Sequence, residues 1–301
     1  MRLTVVICTW NRAALLRQTL ASISQLRVPD GVQWELLVVN NNSTDETEQA
    51  IASWAGRLPL RMLVEPRPGK SHALNRAVRD AAGDYILFTD DDVLVSPDWI
   101  QAYCEAFRAD PDAAVFGGPI VPWFAGDPPA WLVRTFRQIE YAYAALDLGD
   151  APVQFGGHDV PFGANMALRA REQRGYQYNP ELGPRPGSGL RGEEITLVKA
   201  MLAAGARGWW VPGARVRHYI PPERQTTAHV REWYRGWGNY LARTEPRPPG
   251  PRLFGRPLWL WREVLGAELR YRVGRVLSPP EVWVEALKQA GTARGRFAGR
   301  P

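Results

Sequence analysis

The sequence predicts an α/β fold: a mostly parallel sheet with helices on both faces, followed by an amphipathic helical extension at the C-terminal end. Three observations carry this. Four short apolar runs of strand length fall in the first 90 residues, amphipathic stretches separate them, and each run closes on polar residues. A β-α-β-α-β-α-β order implies parallel strands joined by helices that cover the sheet.

Leu3–Cys8 is the first strand, and Leu16, Leu20, Ile23 and Leu26 mark the buried stripe of the helix after it. Glu35–Asn40 is the second strand. Ser43-x-x-Glu46 has the form of a capping box, opening a helix that buries Ala50, Ile51 and Trp54. Arg61–Glu65 is the third strand; Leu74, Ala77, Val78 and Ala81 form the third helical stripe, which Gly83 stops. Tyr85–Thr89 is the fourth strand, and Ser96-Pro97 starts a helix carrying Trp99, Ile100, Tyr103 and Phe107. Residues 110–190 are rich in Gly, Pro and aromatics and are expected over the carboxyl edge of the sheet. Regular structure returns with a helix over Glu193–Ala204 and strands at Gly208–Val211 and Arg215–Tyr219. Proline-rich Glu245–Pro251 reads as a linker; beyond it Leu258, Trp261, Leu265, Leu269 and Val273 form an apolar stripe beside Arg262, Arg270, Arg272 and Arg275. The expected division is a body over 1–240, with halves 1–110 and 111–240, and a basic Trp/Arg-rich helical tail over 241–301.

Composition narrows the function classes. With 45% hydrophobic and 23% charged residues the chain has the profile of a soluble globular protein. No apolar run reaches the roughly 18 residues of a membrane span. The opening MRLTVVICTWNR reads as strand and turn rather than as a signal peptide. Two cysteines, Cys8 and Cys104, are too few for a disulfide framework or a structural zinc site. The net charge of +6 is uneven: residues 241–301 carry +7 and residues 1–240 carry −1. A neutral body argues against nucleic acid as a partner, because such domains show a basic face within the fold.

Ligands of open α/β sheets bind at the carboxyl ends of the strands. The first strand leads into Thr9-Trp-Asn11-Arg12, the second into Asn40-Asn41-Asn42-Ser43, the third towards Lys70-Ser71, and the fourth into Asp90-Asp91-Asp92. Three adjacent carboxylates repel one another unless a cation offsets them, and hard oxygen ligands suit Mg²⁺ or Mn²⁺. Lys70 and Ser71 follow a glycine at a helix start, where backbone N–H groups favour an anion. Gly187-x-Gly189-x-x-Gly192 matches the dinucleotide fingerprint in form but follows no strand, so a dinucleotide site is not expected. Glu193 and Glu194 open a helix, which leaves two readings open: compensation of the helix dipole, or a general base. His218, within a strand, is a candidate metal ligand; His72, His158 and His229 read as surface or structural residues.

These segments together resemble the inverting family 2 glycosyltransferases of the GT-A fold. VVICTWNR (5–12), LLVVNNNSTDET (36–47), PGKSHALNRA (68–77) and GDYILFTDDDV (83–93) resemble the family's N-terminal signature in order and spacing. PFGANMALR (161–169), RGEEITLVKAMLAAG (191–205) and VRHYIPPER (216–224) resemble its acceptor-side half. The resemblance implies a nucleotide-diphosphate sugar donor, foremost a UDP-sugar, with Thr9, Asn11, Arg12, Asn40, Lys70, Asp90 and Asp91 on the donor side. By the same resemblance Asp90 and Asp92 are the outer acids of a D-x-D motif, with Asp92, Asp90 and His218 toward Mg²⁺ or Mn²⁺. Glu194 stands where the family has its catalytic acid, with Glu193 beside it, and Asn165 and Met166 fall in the acceptor-side segment. Two departures stand out: Asn40 occupies the place of a common aspartate, and Glu194 is one methylene longer than the usual aspartate.

The implied function is sugar transfer to an acceptor hydroxyl, on a saccharide or lipid-linked acceptor of surface polysaccharide or glycolipid synthesis. Two rival classes remain. A nucleotidyltransferase would carry a glycine-rich basic loop after the first strand, which Thr9–Arg12 lacks. A non-catalytic, membrane-associated carbohydrate binder fits the 13 tryptophans but not the intact acids at 90–92 and 193–194. The expected location is cytoplasmic. For residues 253–277 two readings stay open: peripheral contact with the inner face of the membrane, or packing back on the body.

Overall fold

The first half of the chain alternates strand and helix: β1 (Arg2–Thr9), α1 (Ala13–Ile23), β2 (Gln33–Asn40), α2 (Thr47–Ala52), β3 (Leu60–Val64), α3 (Lys70–Asp80) and β4 (Tyr85–Asp90). The four strands pair in parallel in the order β3-β2-β1-β4, with Thr9 opposite Asn40 and Cys8 opposite Asp90. Each of these four predicted strands is present; three extend by a residue or two, and the third shifts by one residue to Leu60–Val64. The register aligns the strand ends, so the four polar turns lie along one rim. The computed structural model describes residues 1–156, 159–183, 192–245 and 250–299.

Side-chain alternation explains why these strands read as continuous apolar runs. Val5, Ile7, Leu36 and Val38 point to one face, where Leu16, Leu20 and Ile23 of α1 pack with Trp99, Tyr103 and Phe107 of α4 (Trp99–Ala109). Val6, Leu37 and Val39 point to the other, against Ala73, Leu74, Ala77 and Val78 of α3 and Leu197, Val198 and Met201 further along the chain. A sheet covered on both faces needs apolar residues at every position.

After β4 the chain forms β5 (Val93–Val95), α4, β6 (Val115–Gly117), β7 (Ile120–Phe124) and α5 (Ala130–Ile139). It continues as β8 (Met166–Arg169), α6 (Ala170–Gln173), α7 (Glu193–Ala203), β9 (Gly208–Trp210) and β10 (Val216–Ile220). β8 inserts antiparallel between β4 and β6, completing a seven-stranded sheet, β3-β2-β1-β4-β8-β6-β9. A smaller sheet, β5-β10-β7, sets His218 opposite Val93, one residue beyond the triple aspartate. The stretch expected to be irregular thus contains regular strands too short to leave a periodic signal.

The last elements are α8 (Thr227–Thr244), β11 (Arg252–Leu253), β12 (Arg256–Pro257), α9 (Leu258–Leu277) and α10 (Pro280–Ala298). The chain divides into two compact units. The first comprises Met1–Trp123, the described residues of Ala144–Pro186, and Glu193–Tyr219. The second comprises Phe124–Tyr143, the described part of Gly187–Gly192, and Ile220–Pro301. This corrects the expected boundary at residue 240. In the second unit α8 and α10 meet backbone to backbone: a Cβ on Gly238 would strike Thr292, and one on Gly295 would strike Arg235. Leu132, Ile139, Val230, Tyr234, Val284 and Leu287 fill the core around that crossing, so α5 and α8 belong with the tail helices. The Gly187-x-Gly189 motif, His158 and most of the proline-rich linker lie outside the described residues.

Candidate active site

The rim of the first unit collects two groups of charges. In the first, Arg12, just past β1, reaches across to the end of β4. Its Nη1 donates to Asp91 Oδ1 at 2.9 Å and to Asp92 Oδ2 at 2.7 Å. Both carboxylates are buried. Burial opposes the guanidinium's charge, but Asp91 and Asp92 outweigh it and hold Arg12 protonated above its ordinary range. The Asp91 carboxyl is pushed up from the usual carboxylate range by burial, with Arg12 acting against the rise and Asp92 adding to it. Thr19 donates its hydroxyl to the Asp91 carbonyl at 3.0 Å, and the Tyr219 N–H donates to the Asp92 carbonyl at 2.9 Å. Because β10 pairs with β5, His218 Nε2 comes within 3.3 Å of Asp92 Oδ1. Among the described residues no three His, Cys, Asp or Glu side chains form a metal-holding group; Asp92 and His218 form a pair.

In the second group, Lys70 at the first turn of α3 places Nζ 2.7 Å from Asp90 Oδ1 and 2.9 Å from Glu194 Oε1. Burial opposes the ammonium's charge, yet Asp90 and Glu194 hold it protonated well above the usual lysine range. The Gly163 N–H donates to Glu194 Oε2 at 2.8 Å, and a Cβ on Gly163 would collide with that carboxylate. Glu194 is therefore held from both sides. Glu193, its neighbour at the start of α7, is buried. Cys8, at the end of β1, is half-buried, and desolvation of its thiol, with Lys70 acting against it, holds it protonated well above the usual thiol range.

The donor-side turns are braced by their own side chains. Asn11, at φ 52°, accepts from the Thr44 N–H at 2.7 Å, while its own N–H donates to Ser43 Oγ at 3.1 Å. Ser43 thus ties the first turn to the second and does not cap α2, which begins only at Thr47. Asp45 receives the Thr47 N–H at 3.0 Å in its stead, and Glu46 pairs with Arg17, so the expected capping box does not form. Thr9 and Asn40 are buried at the rim, and Asn40 Oδ1 accepts the Ser43 N–H at 3.0 Å. Asn41, which the sequence reading left without a role, donates to the carbonyls of Glu65 and Arg67 and accepts from the Gly69 N–H at 2.9 Å. It joins the second turn to the start of α3. Trp10, also missed, is 48% exposed between Thr9 and Asn11. An exposed tryptophan at a ligand-binding strand end is a signal that a residue-by-residue reading could have used.

The structure thus brings Arg12, Asp91, Asp92 and His218 together, and separately Lys70, Asp90 and Glu194. It does not present Asn165 and Met166 to an acceptor. Asn165 is fully buried, accepting from Trp99 Nε1 and Tyr103 Oη, both at 2.8 Å, and donating to the carbonyls of Pro119 and Ala214. Met166 is a core residue of β8. A buried amide with four partners holds three segments in register, which corrects the expected acceptor-side contact.

Acids, a lysine at a helix start and a paired histidine thus gather at the carboxyl rim of a mostly parallel sheet, where open α/β folds bind their ligands. The family model described as glycosyl transferase family 2 matches residues 4–161. The chain belongs to that family and is a glycosyltransferase. It is 25% identical to the succinoglycan biosynthesis protein ExoM of Rhizobium meliloti over 76% of this chain and 70% of that protein. It is 29% identical to a validoxylamine A glucosyltransferase of Streptomyces hygroscopicus over 50% of this chain, spanning only 36% of that relative's length. Among solved structures, a mannosyltransferase from Pyrobaculum calidifontis, in complex with GDP-Man and Mn²⁺, superposes with a TM-score of 0.63. The match covers 97% of this chain and 86% of that one at 20% identity. The fold is GT-A.

Proposed function

We propose that the protein transfers a sugar from a nucleotide-diphosphate sugar, foremost a UDP-sugar, to an acceptor hydroxyl with inversion at the anomeric carbon, using Mg²⁺ or Mn²⁺. The observation that carries this reading is the convergence of Arg12, Lys70, Asp90, Asp91, Asp92, Glu194 and His218 on one strand-end rim.

Asp92 and His218 would hold a divalent ion, since a carboxylate and an imidazole are suitable ligands and the two side chains already pair at 3.3 Å. Such an ion supplies positive charge to the departing diphosphate. Lys70 and the N-terminal turn of α3 add a second positive field, and Asp90 lies toward the sugar or ribose. The exposed ring of Trp10 suits stacking on a nucleobase, with Thr9 and Asn40 on the donor side of the same rim. Glu194 is favoured over Glu193 as the base because it reaches Lys70 and the Gly163 N–H at the rim. It takes the proton of the acceptor hydroxyl as that oxygen bonds to the anomeric carbon. The bond to the diphosphate breaks at the same time, its electron pair leaving with the diphosphate. The acceptor is a saccharide or lipid-linked saccharide of surface polysaccharide or glycolipid synthesis, a reading supported by the similarity to the succinoglycan protein. Residues 253–277 are the site of peripheral contact with the inner face of the membrane.

The test is release of nucleoside diphosphate from a panel of UDP-, GDP- and dTDP-sugars, with Mn²⁺ and with chelator. The expected result is one preferred donor whose turnover needs the metal; equal turnover in chelator would overturn the metal-assisted reading.

A further inference from the structure

Helix α9 is apolar on two opposite sides. Leu260, Ala267 and Tyr271 face inward and are buried in the second unit. On the outer side Leu265 and Leu269 are each 64% exposed, Val276 81% and Leu277 77%, with Leu258 and Val273 on the same stripe. At 3.6 residues per turn, positions 258, 265, 269 and 276 lie along one line of the helix. The hairpin β11–β12 just before it carries Phe254 at its turn, 87% exposed, beside exposed Leu253. A helix on the surface of a globular protein ordinarily turns polar residues outward.

Charge says what this face meets. Arg262, Arg270, Arg272 and Arg275 are exposed; Arg262 and Arg272 flank the apolar stripe, while Arg270 reaches Gln289 of α10 at 3.2 Å and Arg275 the Tyr271 hydroxyl at 2.9 Å. Of the two acids of α9, Glu263 pairs with Arg296 at 3.5 Å and buried Glu268 with Arg294 at 2.5 Å, both on α10, and Glu268 also lies 4.0 Å from Arg272. The outer face therefore shows leucine, valine and arginine, and the two carboxylates of α9 lie toward α10. Two copies packed through it would set arginine against arginine, which disfavours self-association. No helix among the described residues is long and apolar enough to cross a membrane, so the face suits lying on a bilayer, not spanning one.

We propose that the outer face of α9 and the Phe254 hairpin form a docking surface for an anionic lipid leaflet. The apolar side chains enter the headgroup boundary and the arginines meet lipid phosphates. This deepens the proposed function and rests on it for its purpose, since a lipid-linked acceptor must be met at the bilayer; the docking itself needs no donor.

The test is flotation of the full-length protein with vesicles of pure phosphatidylcholine and of phosphatidylcholine with phosphatidylglycerol. The wild type should float with the anionic vesicles, less so as salt rises, and remain behind with the neutral ones. Replacing Arg262, Arg270, Arg272 and Arg275 by Gln should lower partitioning by at least about tenfold. L265E with L269E should abolish it while circular dichroism and melting stay those of the wild type. Equal recovery with both vesicle types, or unchanged flotation of both variants, would overturn the proposal. A wild-type dimer that L265E/L269E converts to monomer would overturn it in favour of a second copy. Donor turnover by the same variants, measured without vesicles, separates a failure of docking from a failure of the enzymatic reading.

Discussion

The rim of the first unit and the helix crossing of the second solve opposite problems. At the rim, five acids and two cations crowd positions where burial disfavours charge, and Arg12 and Lys70 each offset a pair of acids. At the crossing, Gly238, Gly291 and Gly295 leave out side chains so that the backbones of α8 and α10 touch. The rim accepts electrostatic strain in exchange for a binding site, whereas the crossing gains close packing and carries no chemistry. Substitutions at the rim should therefore change turnover far more than stability, and those at the crossing the reverse.

The sharpest break of that contrast is Asp92→Ala. It removes the carboxylate that faces both His218 and Arg12, and we expect transfer to fall by about 1,000-fold or more with the fold intact, checked by turnover and circular dichroism. Glu194→Gln keeps the shape but removes the base. Its kcat should fall by roughly 100- to 10,000-fold with little change in donor affinity, read from kinetics and from donor titration. Gly295→Leu tests the other region: a side chain driven into the Arg235 backbone should destabilise the second unit by about 3 kcal/mol, read from denaturant unfolding. The smallest expected effect is the pH response of the rim. The Asp91 carboxyl is pushed up to about 6 in the folded protein from 3.8, so its ionisation opposes folding. Its contribution to stability is therefore greatest below pH 3.8, declines as pH rises, and is lost above about 6. Asp91→Asn should flatten the metal-free melting profile across that window.

Much of this was legible in the sequence because parallel strands buried on both faces must be apolar throughout, and their ends are where polarity resumes. Asp92 and Lys70 stood out for that reason, whereas Glu194 drew notice as an acid opening a helix and His218 as a histidine within a strand. What could not be read were relationships set by pairing. Nothing local indicates that β8 runs antiparallel between β4 and β6, or that Asn165 faces inward to hold Trp99 and Tyr103. Ser43-x-x-Glu46 has the form of a cap, but Asn11 claims Ser43 from a turn 32 residues away, and local form gave way to a tertiary contact. The boundary near residue 240 was misplaced because glycines at 238, 291 and 295 gain meaning only when two helices are laid together. The outer face of α9 was partly legible: its apolar stripe was visible, but only burial separates the side facing the core from the side facing out.

The central claim is that Asp92 and His218 hold a divalent ion against the diphosphate of a sugar nucleotide. Anomalous diffraction from crystals grown with Mn²⁺ and a nucleoside diphosphate tests it most directly. The account predicts one manganese peak within coordination distance of both side chains and of the diphosphate oxygens. A diphosphate bound at the rim with manganese elsewhere, or with none, would contradict it.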